Sequence, residues 1–163
     1  MRTPTAISLF SGCGGMDLGF VQAGFDVLWA NDINGFACKT YAHNIGDHII
    51  HGDITEIDYQ SIPTADIIIG GFPCQDFSML WKRGGVSTDR GNLYKNFVDL
   101  VAQKNPKVFV AENVKGILTA NKKQAIKQII EDFSDTGEIG YNTKAILVNF
   151  ANYGVSQLRE RVL

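Results

Sequence analysis

The chain has 163 residues, 45% of them hydrophobic and 20% charged, which suits one folded core of ordinary globular composition. Its formal charge of −2 excludes a general basic footprint, so any DNA binding must use a local patch or surface carried elsewhere. No apolar run approaches the ~20 residues of a membrane helix, and Met1-Arg2-Thr3-Pro4-Thr5 lacks a signal-peptide core, so a cytoplasmic protein is expected.

Strand-like apolar runs alternate with helix-like segments. The order is a strand near Ala6–Leu9, a helix near Met16–Ala23, a strand at Asp26–Ala30, a helix at Gly35–Asn44 and a short strand at Ile49–Ile50. There follow a strand at Ile67–Ile69, a helix at Leu93–Gln103, a strand at Val108–Ala111, a helix at Lys122–Phe133 and a strand at Lys144–Asn149. Ile126, Ile129, Ile130 and Phe133 share one face of the last helix. Repeated βα units with continuous apolar strands predict an α/β fold with a mostly parallel, doubly wound sheet. The longest aperiodic stretch, Ser78–Arg90, is long enough to be functional. Gln157–Leu163 reads as a strand just beginning, which suggests part of something larger.

The chemistry collects at strand ends. Phe10-Ser11-Gly12-Cys13-Gly14-Gly15 links the first strand to a helix. Glycines there let the backbone approach a ligand, although a tight turn with no ligand would look the same. Asn31-Asp32 ends the second strand and puts an acid where a ribose diol could donate to it. Gly52-Asp53-Ile54 ends the third, and Asp53 could accept from an adenine amino group or simply cap a helix. With no Walker lysine or phosphate clamp, a nucleoside cofactor without a phosphate chain is favoured.

Gly70-Gly71-Phe72-Pro73-Cys74-Gln75-Asp76-Phe77-Ser78 follows the buried-strand pattern and sets a thiol at its carboxyl end. A free thiol titrates near about 8.5 and needs local help to act as a nucleophile. Its alternative is a structural cysteine. Glu112 ends the strand expected beside that one, where a carboxylic acid could hydrogen-bond a heterocycle. Arg159 and Arg161 alternate onto one face, suited to a base carbonyl or a phosphate, or else to a solvated edge. Cys13, Cys38 and Cys74 form no CxxC pair, and His43, His48 and His51 lack ligand-spaced partners. No disulfide framework and no metal are expected, and the histidines read as solvated loop residues.

In order, Phe10–Gly15, Asp32, Gly52–Asp53, Pro73-Cys74-Gln75, Gly91–Leu93, Glu112-Asn113-Val114 and Gln157–Arg161 resemble the motifs of cytosine-5 DNA methyltransferases. The resemblance implies the Rossmann-like methyltransferase sheet, with S-adenosylmethionine as cofactor and S-adenosylhomocysteine as product. It puts Phe10, Ser11, Gly12, Cys13, Gly14 and Gly15 along the cofactor. Asp32 would hold the ribose, and Ile33, Asp53 and Ile54 would serve the adenine, with Gly71, Pro73 and Leu93 adding contacts. Ile33 stands where some relatives carry an aromatic residue. Cys74 would add to carbon 6 of a flipped cytosine, Glu112 would engage the ring, and Arg161 with Arg159 would orient it. Ser78–Arg90 would close over the base.

The family continues past the Gln-x-Arg-x-Arg motif with a target-recognition region and a closing helix. Residues 1–163 therefore read as an incomplete catalytic and cofactor-binding domain, inactive and poorly soluble alone. A second chain could supply DNA reading, or the chain could be a truncated piece. The implied partner is double-stranded DNA, in a bacterial restriction-modification setting. A tRNA cytosine methyltransferase shares these motifs. A non-catalytic cofactor- or DNA-binding scaffold would have no need of Cys74, Glu112 and Arg161 together, and a Rossmann dehydrogenase would carry GxGxxG.

Overall fold

The computed structural model describes residues 2–73, 93–138 and 140–163. They form two compact units, Met1–Gly71 with Gln103–Val110, and Phe72–Ala102 with Ala111–Leu163.

The first unit is built on a sheet of five strands. They are β1 (Thr5–Leu9), β2 (Asp26–Asp32), β3 (Ile49–His51), β4 (Ile67–Gly70) and β5 (Val108–Ala111). Their spatial order is β3-β2-β1-β4-β5, and β1 pairs in parallel with both β2 and β4, as β2 does with β3. The expected neighbour relation of β4 and β5 therefore holds. Helices α1 (Gly15–Gln22) and α2 (Gly35–Asn44) connect the first three strands. Ala6, Ile7, Leu9, Ile68 and Ile69 are fully buried, which explains why β1 and β4 read as unbroken apolar runs. Ala6, Val27, Ile67 and Ile69 form one cluster, flanked by Met16, Phe20, Phe25 and Val110. Burying each large aliphatic side chain stabilises by roughly 1.5–3 kcal/mol.

Asp66 ties down the amino ends of these strands. Its carboxylate accepts from the Thr5 amide at 3.0 Å and pairs with Arg2 at 2.6 Å and Lys107 at 2.7 Å. All the parallel strands then deliver their carboxyl ends to the opposite edge, where ligands of open α/β sheets bind.

The second unit contains most of α3 (Leu93–Lys104) and all of α4 (Gln124–Ser134). It also contains an antiparallel sheet in which β8 (Glu160–Val162) lies between β6 (Asn113–Val114) and β7 (Leu147–Asn149). Its aromatic core joins Phe72, Phe97 and Phe133, with ring centroids 6.3 and 5.8 Å apart in succession. The Tyr94 hydroxyl donates to Asp132 at 2.8 Å, bolting α3 to α4.

Two boundaries differ from the sequence reading. The expected helix from Lys122 starts at Gln124, because Asn121, Lys122 and Lys123 all have positive φ. The strand expected over Lys144–Asn149 is confined to β7 and belongs to the antiparallel sheet. Its neighbour there is β8, a strand of three residues, and periodicity along one strand does not reveal such a pairing.

Candidate functional site

The turn after β1 is conformationally demanding. Phe10, Gly12 and Gly14 have φ of 55, 56 and 87°. For a residue with a β-carbon this left-handed region costs roughly 1–2 kcal/mol. Phe10 accepts that strain at the mouth of the turn, as functional sites often do. Gly14 is required twice over, since a β-carbon there would also run into Tyr41 and Ile45. Gly12 and Gly15 face open space, so their backbone is approachable. Cys13 is an exposed free thiol at the crest. The Ser11 amide donates to Asn31 O at 3.0 Å and the Gly14 amide to Ser11 O at 2.9 Å, which closes the turn.

Asp32, at the end of β2, braces this turn directly. One carboxylate oxygen accepts from the Gly12 amide at 2.8 Å and the other from the Asn34 amide at 2.8 Å. Each oxygen retains a second lone pair for a donor such as a sugar hydroxyl. Ile33 next to it is 67% exposed, an apolar surface displayed rather than buried. Asn34 caps α2 by accepting from the Phe36 and Ala37 amides. Asp53 follows β3 and caps the turn Ile54–Glu56, with Oδ1 accepting from the Thr55 amide and hydroxyl at 3.0 and 2.8 Å. The capping alternative is thus realised for that oxygen. Ile54 is only 2% exposed, so its side chain is core.

These features fit an adenosyl group. There is open backbone at Gly12 and Gly15, a displayed Ile33, two carboxylates at adjacent strand ends, and no lysine or arginine in Phe10–Gly15 to hold a phosphate.

Beneath the turn lies a polar chain that the sequence reading missed. Asp17 is fully buried and accepts from the Ser8 hydroxyl at 2.9 Å and the Tyr41 hydroxyl at 2.8 Å. Burial pushes its carboxyl above the usual range despite these donors. Burial, with Asp17 beside it, also drives the Tyr41 hydroxyl well above its ordinary value. His48 Nε2 meets the Tyr41 hydroxyl at 2.9 Å, with the rings edge to face. His48 is therefore a partner in a buried network rather than a solvated loop residue. The helical spacing of Asp17 near the turn was its only sequence signal.

In the second unit, Glu112 Oε1 and Arg161 Nε are 2.8 Å apart, with side chains 22% and 18% exposed. Arg161 also donates through Nη1 to Glu160 O, and Glu160 pairs with Lys115 at 2.8 Å. The register of β6 with β8 explains the meeting, since Val114 lies opposite Arg161. Arg159 precedes β8 and is exposed; its amide donates to Asn149 Oδ1 and its carbonyl accepts from Phe150. The structure therefore brings Arg161, and not Arg159, onto Glu112. Asn113 is buried and donates to Phe72 O at 3.0 Å, steadying the chain two residues before Cys74. Gly71 and Leu93 are half-buried and Pro73 is exposed. Cys74 and Ser78–Arg90 lie outside the described residues. Among the described residues no His, Cys, Asp and Glu cluster is suited to a metal, and no helix is long and apolar enough to cross a membrane.

The model of a protein family described as C-5 cytosine-specific DNA methylase matches residues 5–163. The chain is 59% identical over 162 residues to the Type II methyltransferase M.NgoFVII of Neisseria gonorrhoeae, covering 98% of this chain and 42% of that protein. It is 43% identical over 156 residues to M.FnuDI of Fusobacterium nucleatum, another Type II methyltransferase, covering 96% and 44% respectively. Among solved structures, a putative DNA modification methyltransferase encoded within an E. coli prophage superposes with a TM-score of 0.79 at 31% identity. That match covers 98% of this chain and 45% of the other. The chain spans less than half the length of each of these proteins.

Proposed function

Because this chain belongs to the C-5 cytosine-specific DNA methylase family, we propose that it carries the methyl-transfer chemistry of a DNA (cytosine-5-)-methyltransferase. The substrate is a cytosine in double-stranded DNA, and the methyl donor is S-adenosylmethionine. The observation that carries this reading is the Glu112–Arg161 pair at 2.8 Å. It joins two distant motifs into one acid and one fixed cation, the groups needed to engage a cytosine edge.

The first unit binds the cofactor through the Phe10–Gly15 turn, Asp32, Ile33 and Asp53. When bound, S-adenosylmethionine supplies a methyl group on a positively charged sulfur. The second unit handles the base. Carbon 5 of cytosine is a poor nucleophile until a thiolate adds to carbon 6. Cys74 forms that carbon–sulfur bond, and the electron pair displaced from the ring's double bond becomes available at carbon 5. Glu112 hydrogen-bonds the ring nitrogen and amino group, favouring the electron shift. Arg161 holds the Glu112 carboxylate in place and offers its remaining N–H groups to the base carbonyl. Carbon 5 would then form the bond to the methyl carbon as the methyl–sulfur bond breaks, the electron pair staying on the sulfur of the departing S-adenosylhomocysteine. Loss of the carbon 5 proton to a base or water and departure of the Cys74 sulfur restore the ring. Because these atoms are buried in duplex DNA, the cytosine leaves the stack first.

The net charge of −2 gives the chain little long-range attraction for DNA. We therefore assign sequence reading to basic surface outside these residues, on a longer chain or a second one. The Type II names of the relatives support a bacterial restriction-modification setting and a cytoplasmic site of action.

The test uses the protein as its cells make it, duplex DNA containing 5-fluorocytosine, and S-adenosylmethionine. Fluorine blocks the final loss from carbon 5, so a covalent protein–DNA product should accumulate, with mass spectrometry placing the bond on Cys74. Cys74→Ser should abolish it. A bond to another residue would overturn the nucleophile assignment, and trapping on tRNA in place of the duplex would reassign the substrate.

A further inference from the structure

The buried chain under the glycine turn has a direction. Ser11 donates from its hydroxyl to Ser8 Oγ at 2.9 Å, with Ser8 O a longer second acceptor at 3.3 Å, and Ser8 donates to Asp17 at 2.9 Å. From the other side, Tyr41 gives its single hydroxyl proton to Asp17 at 2.8 Å, so at 2.9 Å its oxygen must accept from His48 Nε2–H. Every donor thus points toward one carboxylate that is fully shielded from water. Chains of this kind polarise one another, and a missing member leaves a buried polar group unsatisfied. A buried carboxylate is a costly way to hold a helix to a sheet, since apolar side chains would do so without desolvation. What it reaches is specific. Ser11 sits inside the turn, its amide held by Asn31 O and its carbonyl accepting from Gly14.

We propose that Asp17 is a positioning residue for the cofactor, acting through Ser8 and Ser11 to hold the glycine turn in its binding conformation. The proposal rests on reading that turn as the adenosyl-cofactor site. Asp17 does not touch the cofactor. Its effect passes along two hydroxyls, so removing either link leaves Ser11 only the longer bond to Ser8 O and lets the strained Phe10–Gly14 backbone sample other conformations. Binding then carries the added cost of reordering the turn.

The test removes the middle link. Ser8→Ala keeps the β1 packing nearly unchanged while disconnecting Ser11 from Asp17. Binding of S-adenosylhomocysteine to the full chain is measured by titration calorimetry, beside thermal melting. Ser8→Ala should weaken binding by about tenfold, the effect of losing one hydrogen bond to a charged group. Ser8→Thr, which keeps the hydroxyl, should restore affinity. Val27→Ala, buried in the same sheet but outside the chain of bonds, should lower the melting midpoint and leave affinity unchanged. If Ser8→Ala does not fold, Asp17→Asn, which reverses one donor, should show the same loss. Native affinity in Ser8→Ala, or an equal loss in Val27→Ala, would overturn the positioning role alone. A native chain that binds neither S-adenosylmethionine nor S-adenosylhomocysteine would overturn the cofactor reading together with it.

Discussion

Glu112 and Arg161 sit only about one-fifth exposed, at 22% and 18%, and their 2.8 Å contact is less screened than a surface pair. Arg161 is further held by Glu160 O, which fixes the orientation of its guanidinium. Asp66 uses the same forces for stability alone. Its hydrogen bond from Lys107, the Thr5 amide and nearby Arg2 hold its carboxyl well below the usual carboxylate range. A depressed acid stabilises the fold fully above its unfolded value of about 3.9, and that contribution fades as pH falls toward the lower folded value. Comparing melting midpoints of native protein and Asp66→Asn should show a constant gap from about pH 7 to pH 5, narrowing below about pH 4. A gap that widened on acidification would contradict the assignment.

Among the elements, α3 depends on one residue above the others. Phe97 is fully buried between Phe72 and Phe133, with centroids 6.3 and 5.8 Å away. Phe97→Ala should cost about 3–5 kcal/mol, read as a fall in the denaturant midpoint at unchanged slope. A loss below about 1 kcal/mol would mean that the cluster is not packed as described. The sequence made such elements legible to different degrees. β1 and β4 could be recognised because both their faces are buried, leaving continuous apolar runs. α2 has the expected bounds Gly35–Asn44, and the structure adds Asn34 as its cap. β6 was hidden because it is only two residues long and pairs with β8, 45 or more positions away. β7 gave no sign of its antiparallel partner because both strands have only three residues and the helical turn Phe150–Tyr153 lies between them. The candidate site followed this division. Strand-end residues such as Asp32 and Glu112 were visible by position. The Asp17–Tyr41–His48 network was not, because three polar residues on separate elements carry no shared spacing.

For the molecule as a whole, the family model spans residues 5–163 while the relatives extend to more than twice this length. The first unit carries the glycine turn with Asp32 and Asp53, and the second the Glu112–Arg161 pair; the proposed function divides cofactor and base between them. The formal charge of −2 over the whole chain gives duplex DNA little long-range attraction, which is why DNA reading is assigned elsewhere. The measurement that bears most directly on this account is the position of the transferred methyl group. The protein as its cells make it is incubated with duplex DNA and S-adenosylmethionine labelled on the methyl group, and the DNA is digested to nucleosides. The account predicts label in 5-methylcytosine and its loss with Cys74→Ser. Label on an exocyclic amino group, or none in DNA at all, would contradict it.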